Sequence, residues 1–390
     1  MPFPFFKRFA VWLLIGILGG LALVGLFNRI VDPFWYYRDV SIDGFNAVKT
    51  KFRRFERHVK PATVASEQPD AIIVGSSFAE IGFDPRNPSF TDLGRLKGYN
   101  FGIAGASWAM TRCYLEFALR RAEPKRIVVG IPLSDLPAVD CTASLATMGS
   151  PGVSSLLFSG TALRASVQTV LEQRKQRPSH TREGLYFYAR AAGAAERSFN
   201  EMFAARLRPQ SCDLHKVGSA SAPVTPVPSP KRRLDLVGLR GVVAVAVARG
   251  IELRLVIYPQ HAYNLELDAL CGDALDRWDA LEQMAEAVAS ASGGSNLVQL
   301  WEFFGYNEIT GEPVSPDMKY WQDPQHFNVE VGNMMLADMF GAPGGGQPRI
   351  GRRVVPDAQV AARDRFDAGR QTFIRANPWF YPGLRRVVPE

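Results

Sequence analysis

Cysteine and histidine are scarce in this chain, four and five among 390 residues. Cys113, Cys141, Cys212 and Cys271 stand far apart, with no C-x-x-C and no pair of histidines at metal-ligand spacing, so no structural zinc site is expected and no metal or other cofactor is called for. A nucleic-acid-binding motif is also missing. The formal charge of +7 comes from dispersed basic residues, which removes nucleic acid from the expected partners and leaves an anionic surface or polymer. The glycines of GIAGAS follow the second apolar run, do not open the first and have no suitably placed acidic residue after them. That placement excludes a dinucleotide fingerprint. No internal repeat is present. With 47% apolar and 21% charged residues the composition is that of a folded chain.

What the sequence does have begins with an uncharged apolar stretch from Phe9 to Phe27. At about 1.5 Å per residue it spans roughly 28 Å, the thickness of a hydrocarbon core. Lys7 and Arg8 precede it, the aromatic cluster Phe34-Trp35-Tyr36-Tyr37 follows it, and no small-x-small cleavage site is evident. A retained single-pass anchor over residues 1–40 is expected, with the N-terminus cytoplasmic and the body outside, although Arg29 and Arg38 compete in the charge rule. Phe45, Val48, Phe52, Phe55 and Val59 then recur at helical spacing among basic residues. They predict an amphipathic basic helix over 41–69 that either covers the sheet or rests on anionic headgroups.

From Asp70 short apolar runs alternate with longer helical patterns. Ala71–Val74, Tyr99–Ile103, Arg126–Ile131, Glu252–Ile257 and Leu297–Leu300 read as strands; Ser107–Ala122, Leu234–Arg249 and Glu266–Ala291 read as helices. The alternation predicts an α/β domain over 70–340, a flavodoxin-like three-layer parallel sheet. Between about 140 and 233 it lapses into a helical insert, with Ala162–Lys175 and Gly184–Ala205, ending in the stiff run SAPVTPVPSP from Ser221 to Pro230. Residues 341–390 read as an irregular tail. One or two disulfides are expected if the body is exported, involving Cys141 and Cys212 in the loop-rich middle with their pairing left open, and four free thiols are the alternative.

Ligands of such sheets bind at the carboxyl ends of the strands, and there the chemistry-bearing residues collect. Gly75-Ser76-Ser77 ends the first strand, where Ser77 is either a turn residue or a nucleophile. Asp323-x-x-His326 precedes a helix that Asn328 can cap, with Pro324 keeping both side chains out of a helix interior. A carboxylate three residues before a histidine can fix one ring tautomer while the other ring nitrogen faces a serine. His261, at the end of the fourth strand, is a substrate contact or a structural histidine. Trp108 walls a pocket or packs in the core, and Arg112 meets an anionic polymer or solvent.

Taken together, GSS, NFGIAGAS (Asn100 to Ser107) and D-x-x-H resemble the motif blocks of the SGNH (GDSL-like) hydrolases. The resemblance covers about 70–139 and 250–340. It implies Ser77 as nucleophile, His326 as base and Asp323 as its partner. The N–H of Ser77 and that of Gly105, with Gly102 the alternative, would form the oxyanion hole. The family's third block, G-x-N-D, would fall at VVGIPLSDL (Val128 to Leu136), where no asparagine stands and Ser134 is the candidate replacement. Among such proteins the chain is most similar to membrane-anchored exported polysaccharide O-acetyltransferases of the alginate-system type. It is more distantly similar to the D-alanyl transfer protein of teichoic acid. The resemblance implies an inner-membrane, periplasm-facing serine acyltransferase or esterase, a polysaccharide acceptor, and an MBOAT-type membrane acyltransferase as partner. The alternative is a non-catalytic binding or scaffolding subunit of a polymer modification assembly.

Overall fold

The structure is a computed structural model that describes residues 3–132, 136–150, 152–175, 177–187, 201, 233–271, 277–315, 318–323, 325–342 and 349–387. The chain divides into two compact units, residues 1–68 with 142–181, and residues 69–141 with 182–390.

The first unit begins with α1 (Phe3–Val31), whose stretch from Phe6 onward is long and apolar enough to cross a membrane. Its apolar side chains up to Leu23 are mostly exposed, whereas Gly25, Asn28 and Val31 are buried. These last turns pack on α6 (Val153–Phe158) and α7 (Gly160–Glu172), the pair that follows the short α5 (Thr142–Thr147). Asn28 donates to the Leu157 carbonyl at 2.7 Å, and a side chain at Gly25 would collide with the Phe158 ring. Lys49 donates to the Val31 carbonyl at 2.9 Å, a cation placed where the helix leaves its carbonyls open.

The basic helix α2 runs over Phe52–Glu67, later than the pattern from Phe45 suggests. Asn46 is the cause: its side chain accepts from Ile42 N–H and donates to the Ile30 and Val40 carbonyls, so the chain before Phe52 is held as a loop. Pro61 is accommodated inside α2.

The second unit is an α/β body. Among the described residues six strands form one sheet: β1 (Ala71–Gly75), β2 (Gly98–Gly102), β3 (Arg126–Ile131), β4 (Glu252–Ile257), β5 (Val298–Glu302) and β6 (Arg352–Val354). The order is β2-β1-β3-β4-β5-β6. The first five strands are parallel and β6 is antiparallel, so the sheet is mixed, with the strand order of a flavodoxin-like fold. β1 is wholly buried, as a central parallel strand covered on both faces must be. The helices are α3 (Ser77–Gly82), α4 (Trp108–Arg121), α8 (Leu236–Ala248), α9 (Ala262–Cys271), α10 (Arg277–Ser292), α11 (Val329–Phe340), α12 (Gln359–Ala376) and α13 (Phe380–Val387).

The described residues of the helix expected over Glu266–Ala291 are helical, in α9 and α10, and 272–276 lie outside the described residues. The region beyond 341 is no irregular tail: it supplies the edge strand β6 and two helices. Buried Glu266 on α9 anchors that region, accepting from Arg370 Nε at 2.8 Å, Tyr306 at 3.0 Å and Tyr381 at 2.8 Å. The cysteine partner of Cys141 is Cys113, 28 residues earlier on α4. Cys212, Ser221–Pro230 and, of Gly184–Ala205, residues 188–200 and 202–205 lie outside the described residues; Gly184 to Phe187 are not helical.

Candidate functional site

At the carboxyl end of β1 the chain turns through Ser76, the N-cap of α3, so that Ser77 occupies the first helical position. The Ala79 and Glu80 N–H groups both return to the Ser76 carbonyl, at 3.0 and 3.1 Å, which fixes the turn. Ser77 is half-buried and its N–H is one of those a helix start leaves without an intrahelical partner.

The other half of the site is a hairpin. Gln322 N–H donates to the His326 carbonyl and Asn328 N–H to that of Tyr320, while Trp321 pairs with Phe327. Both aromatic side chains are fully buried, and the Trp321 indole donates to the Ile309 carbonyl at 2.7 Å. Asn328 caps α11 by accepting from Glu330 and Val331. Within the hairpin one Asp323 oxygen accepts from the N–H groups of Gln325 and His326, at 2.8 and 2.9 Å. The other oxygen lies 2.6 Å from His326 Nδ1. Pro324 lies outside the described residues.

The two halves meet. His326 Nε2 lies 2.8 Å from Ser77 Oγ across 249 positions of sequence. An ionised carboxylate can only accept, so the proton of the neutral ring sits on Nδ1 and Nε2 accepts the serine hydroxyl. Burial pushes the Asp323 carboxyl up, but its bonds from His326 and the two N–H groups outweigh that and hold it below the ordinary value. The site is not sealed: the His326 and Asp323 side chains are 16% and 13% exposed, leaving an approach for a ligand.

Two close contacts hold this geometry. Phe327, next to His326, rests on Gly82 at the end of α3, where a side chain would meet its ring at 2.1 Å. Gly332 of α11 lies against the Gly82 carbonyl, 1.8 Å from where a Cβ would sit. Glycine at both positions lets the helix that begins with Ser77 and the helix that follows His326 touch through their backbones.

Two site residues were not singled out from the sequence. Asn100 is fully buried on β2. Its amide donates to the Ala79 and Phe83 carbonyls, both at 2.8 Å, and its oxygen accepts from Gly102 N–H at 2.8 Å, pinning α3 to the sheet. Tyr258, just past β4, stacks on Phe78, whose ring centroid is 4.9 Å from that of His326. Room for the Tyr258 hydroxyl exists only because Gly75 and Gly130 lack side chains. Burial raises that phenol well above its ordinary range, so it stays protonated beneath the Ser77 turn. The available signal was compositional: an asparagine inside an apolar strand, and glycines at like positions on neighbouring strands.

The remaining candidates divide. Gly102 N–H is taken by Asn100, which removes it as a free donor. Gly105 adopts φ +64° in the turn after β2, and its N–H has no partner among the described residues. His261 is fully buried and both ring nitrogens are engaged, Nε2 with the Glu312 carbonyl at 2.9 Å and Nδ1 with Tyr263 N–H at 3.2 Å. It packs edge-on to Tyr263 and Trp321, and burial pushes it down to about 4. That is a structural histidine, not a substrate contact. Trp108 is buried at the start of α4, and its indole N–H has no partner among the described residues. Arg112 pairs with Glu116 at 3.3 Å and is neither free nor fully solvated. Ser134 lies outside the described residues.

No protein-family model matches the chain, and no curated protein matches it either.

Proposed function

We propose that the chain is a serine acyltransferase or esterase, held in the inner membrane by α1, whose body in the periplasm acts on acyl esters, with acetyl the simplest case, of an exported or envelope polysaccharide. The observation that carries this reading is the hydrogen-bonded series Ser77, His326, Asp323 at the carboxyl edge of the sheet. A serine hydroxyl is a poor nucleophile until a base takes its proton during attack, and His326 Nε2 is within reach to do so. As Ser77 Oγ bonds to the ester carbonyl carbon, the proton passes to Nε2 and Asp323 stabilises the imidazolium. The N–H groups of Ser77 and Gly105 are the donors for the oxyanion, each worth about 3 kcal/mol in such sites. Collapse of the tetrahedral adduct breaks the ester bond, and His326 returns the proton to the departing alcohol. The acyl group on Ser77 then moves to water in an esterase or to a sugar hydroxyl in a transferase.

The motifs shared with SGNH hydrolases and with the alginate-type O-acetyltransferases support the polysaccharide substrate class and an MBOAT-type partner that supplies acyl groups. The Cys113–Cys141 disulfide supports an oxidising, extracytoplasmic setting for the body. The absence of an asparagine in the third block favours a second reading, a non-catalytic subunit that keeps the sheet and binds polymer.

The full-length chain in detergent decides between them by turnover of 4-nitrophenyl acetate. The enzyme reading expects release of 4-nitrophenol that falls about a thousandfold or more in Ser77→Ala and in His326→Ala. Turnover unchanged by both substitutions refutes it. Acylated sugar formed on adding oligosaccharide identifies a transferase, and free acetate alone an esterase.

A further inference from the structure

The first unit contains a cavity of about 570 Å³ that the proposed acyl chemistry does not use. Its wall is apolar on one side: the Phe34 and Phe55 rings lie tilted against each other with centroids 3.8 Å apart, and buried Ala165 packs in the same cluster. Three cations line the rest, Lys51 and Arg54 from the start of α2 and Arg164 from α7. Among the described residues, Glu172 is the carboxylate that pairs with them, with Lys51 at 2.8 Å. The guanidinium groups of Arg54 and Arg164 make no hydrogen bond or ion pair with any described residue. Cations gathered around an open cavity repel one another until an anion enters, and the planar guanidinium fork matches phosphate oxygens in particular.

The position of the cavity says where that phosphate comes from. Phe34 lies three residues beyond the end of α1, the helix long enough to cross a membrane. The helices packed on its last turns carry exposed apolar side chains: Val153 and Phe158 on α6, 52% and 49% exposed, and Val167 and Leu171 on α7, 43% and 70% exposed. The last two are four residues apart and so share one helix face. Apolar groups of this kind beside a membrane-spanning helix are stable at the level of the lipid headgroups, among acyl-chain ends and phosphates. We infer that this cavity binds the phosphate-bearing headgroup of an anionic membrane lipid. Arg54, Arg164 and Lys51 hold the phosphate, and Phe34 and Phe55 lie against the glycerol end of the chains.

The test is native mass spectrometry of the full-length chain in dodecyl maltoside micelles doped with phosphatidylglycerol or with phosphatidylcholine. The expected result is one retained phosphatidylglycerol, held at least about tenfold more tightly than phosphatidylcholine. Retention should fall at least about tenfold in Arg54→Gln/Arg164→Gln and stay unchanged in Arg95→Gln/Arg363→Gln, which removes the same charge from the second unit. Equal loss in both pairs overturns the proposal, because it would reflect net charge alone. Equal retention of the two lipids overturns it as well. Displacement of the lipid by millimolar inorganic phosphate would overturn the lipid source and identify a soluble phosphate compound as the occupant. A thermal unfolding midpoint within a degree or two of the parent shows that the cavity variant is folded; if it is not, Arg164→Gln alone, on the exposed face of α7, provides the same comparison. Esterase activity is not read at any step, so failure here and failure of the acyltransfer reading are distinguishable.

Discussion

Asn100→Asp is the most telling perturbation of the scaffold around Ser77, because it changes one atom type and almost no volume. In the folded protein the Asn100 amide donates to the carbonyls of Ala79 and Phe83, in and just after α3, and accepts from Gly102 N–H. An aspartate keeps the acceptor but turns an oxygen toward two carbonyl oxygens at about hydrogen-bond distance, in a position with no solvent exposure. Two buried acceptors lose their donor at about 1–3 kcal/mol each, and the buried charge adds to that. A loss of at least about 3 kcal/mol is expected in urea unfolding at pH 7, with part of it recovered near pH 4, where a protonated carboxyl can donate again. Ester turnover should fall together with stability, since α3 carries Ser77. A cost below about 1 kcal/mol, or one that does not shrink on acidification, would refute the idea that this amide fastens α3.

Gly332→Ala tests the backbone contact that brings the two halves together. Its methyl would lie 1.8 Å from the Gly82 carbonyl oxygen, so α11 and α3 must separate. A destabilisation of about 1–3 kcal/mol and at least a tenfold loss of ester turnover are expected, whereas Gly241→Ala, exposed on α8 with open space around it, should be neutral or slightly stabilising. His261 predicts a pH dependence of stability. Its folded value of about 4 lies below the ordinary 6.5, so the fold favours the neutral ring; its contribution is complete above pH 6.5 and disappears as pH falls through 4. About 3 kcal/mol follows from that difference. Urea midpoints at pH 7 and pH 4.5 should therefore differ less in His261→Gln than in the parent, and equal pH slopes would contradict the assignment.

Much of the body could be read from the sequence because its strands announce themselves. Arg126–Ile131 and Glu252–Ile257 are short, mainly apolar segments set off by charged or turn residues, and both begin and end where that pattern places them. Ser77, Asp323 and His326 were legible as types at a strand end and before a capped helix, but their contact depends on Gly82 and Gly332, whose meaning appears only when two helices touch. Helix α12 was missed. It buries only Gln359, Ala362 and Ile374, so charged and small residues dilute its stripe below what periodicity detects. The pairing of Cys113 with Cys141 could not be read from spacing, since a separation of 28 residues does not reveal which chain segments return to one another.

The account depends on Ser77 being activated by His326, and a fluorophosphonate tests that directly, because it forms an Oγ–phosphorus bond and expels fluoride only when a base takes the serine proton. Peptide mapping of the labelled full-length chain should place a single adduct on Ser77, formed with near-stoichiometric yield and abolished in His326→Ala. An unlabelled Ser77, or labelling that is indifferent to His326, would contradict it.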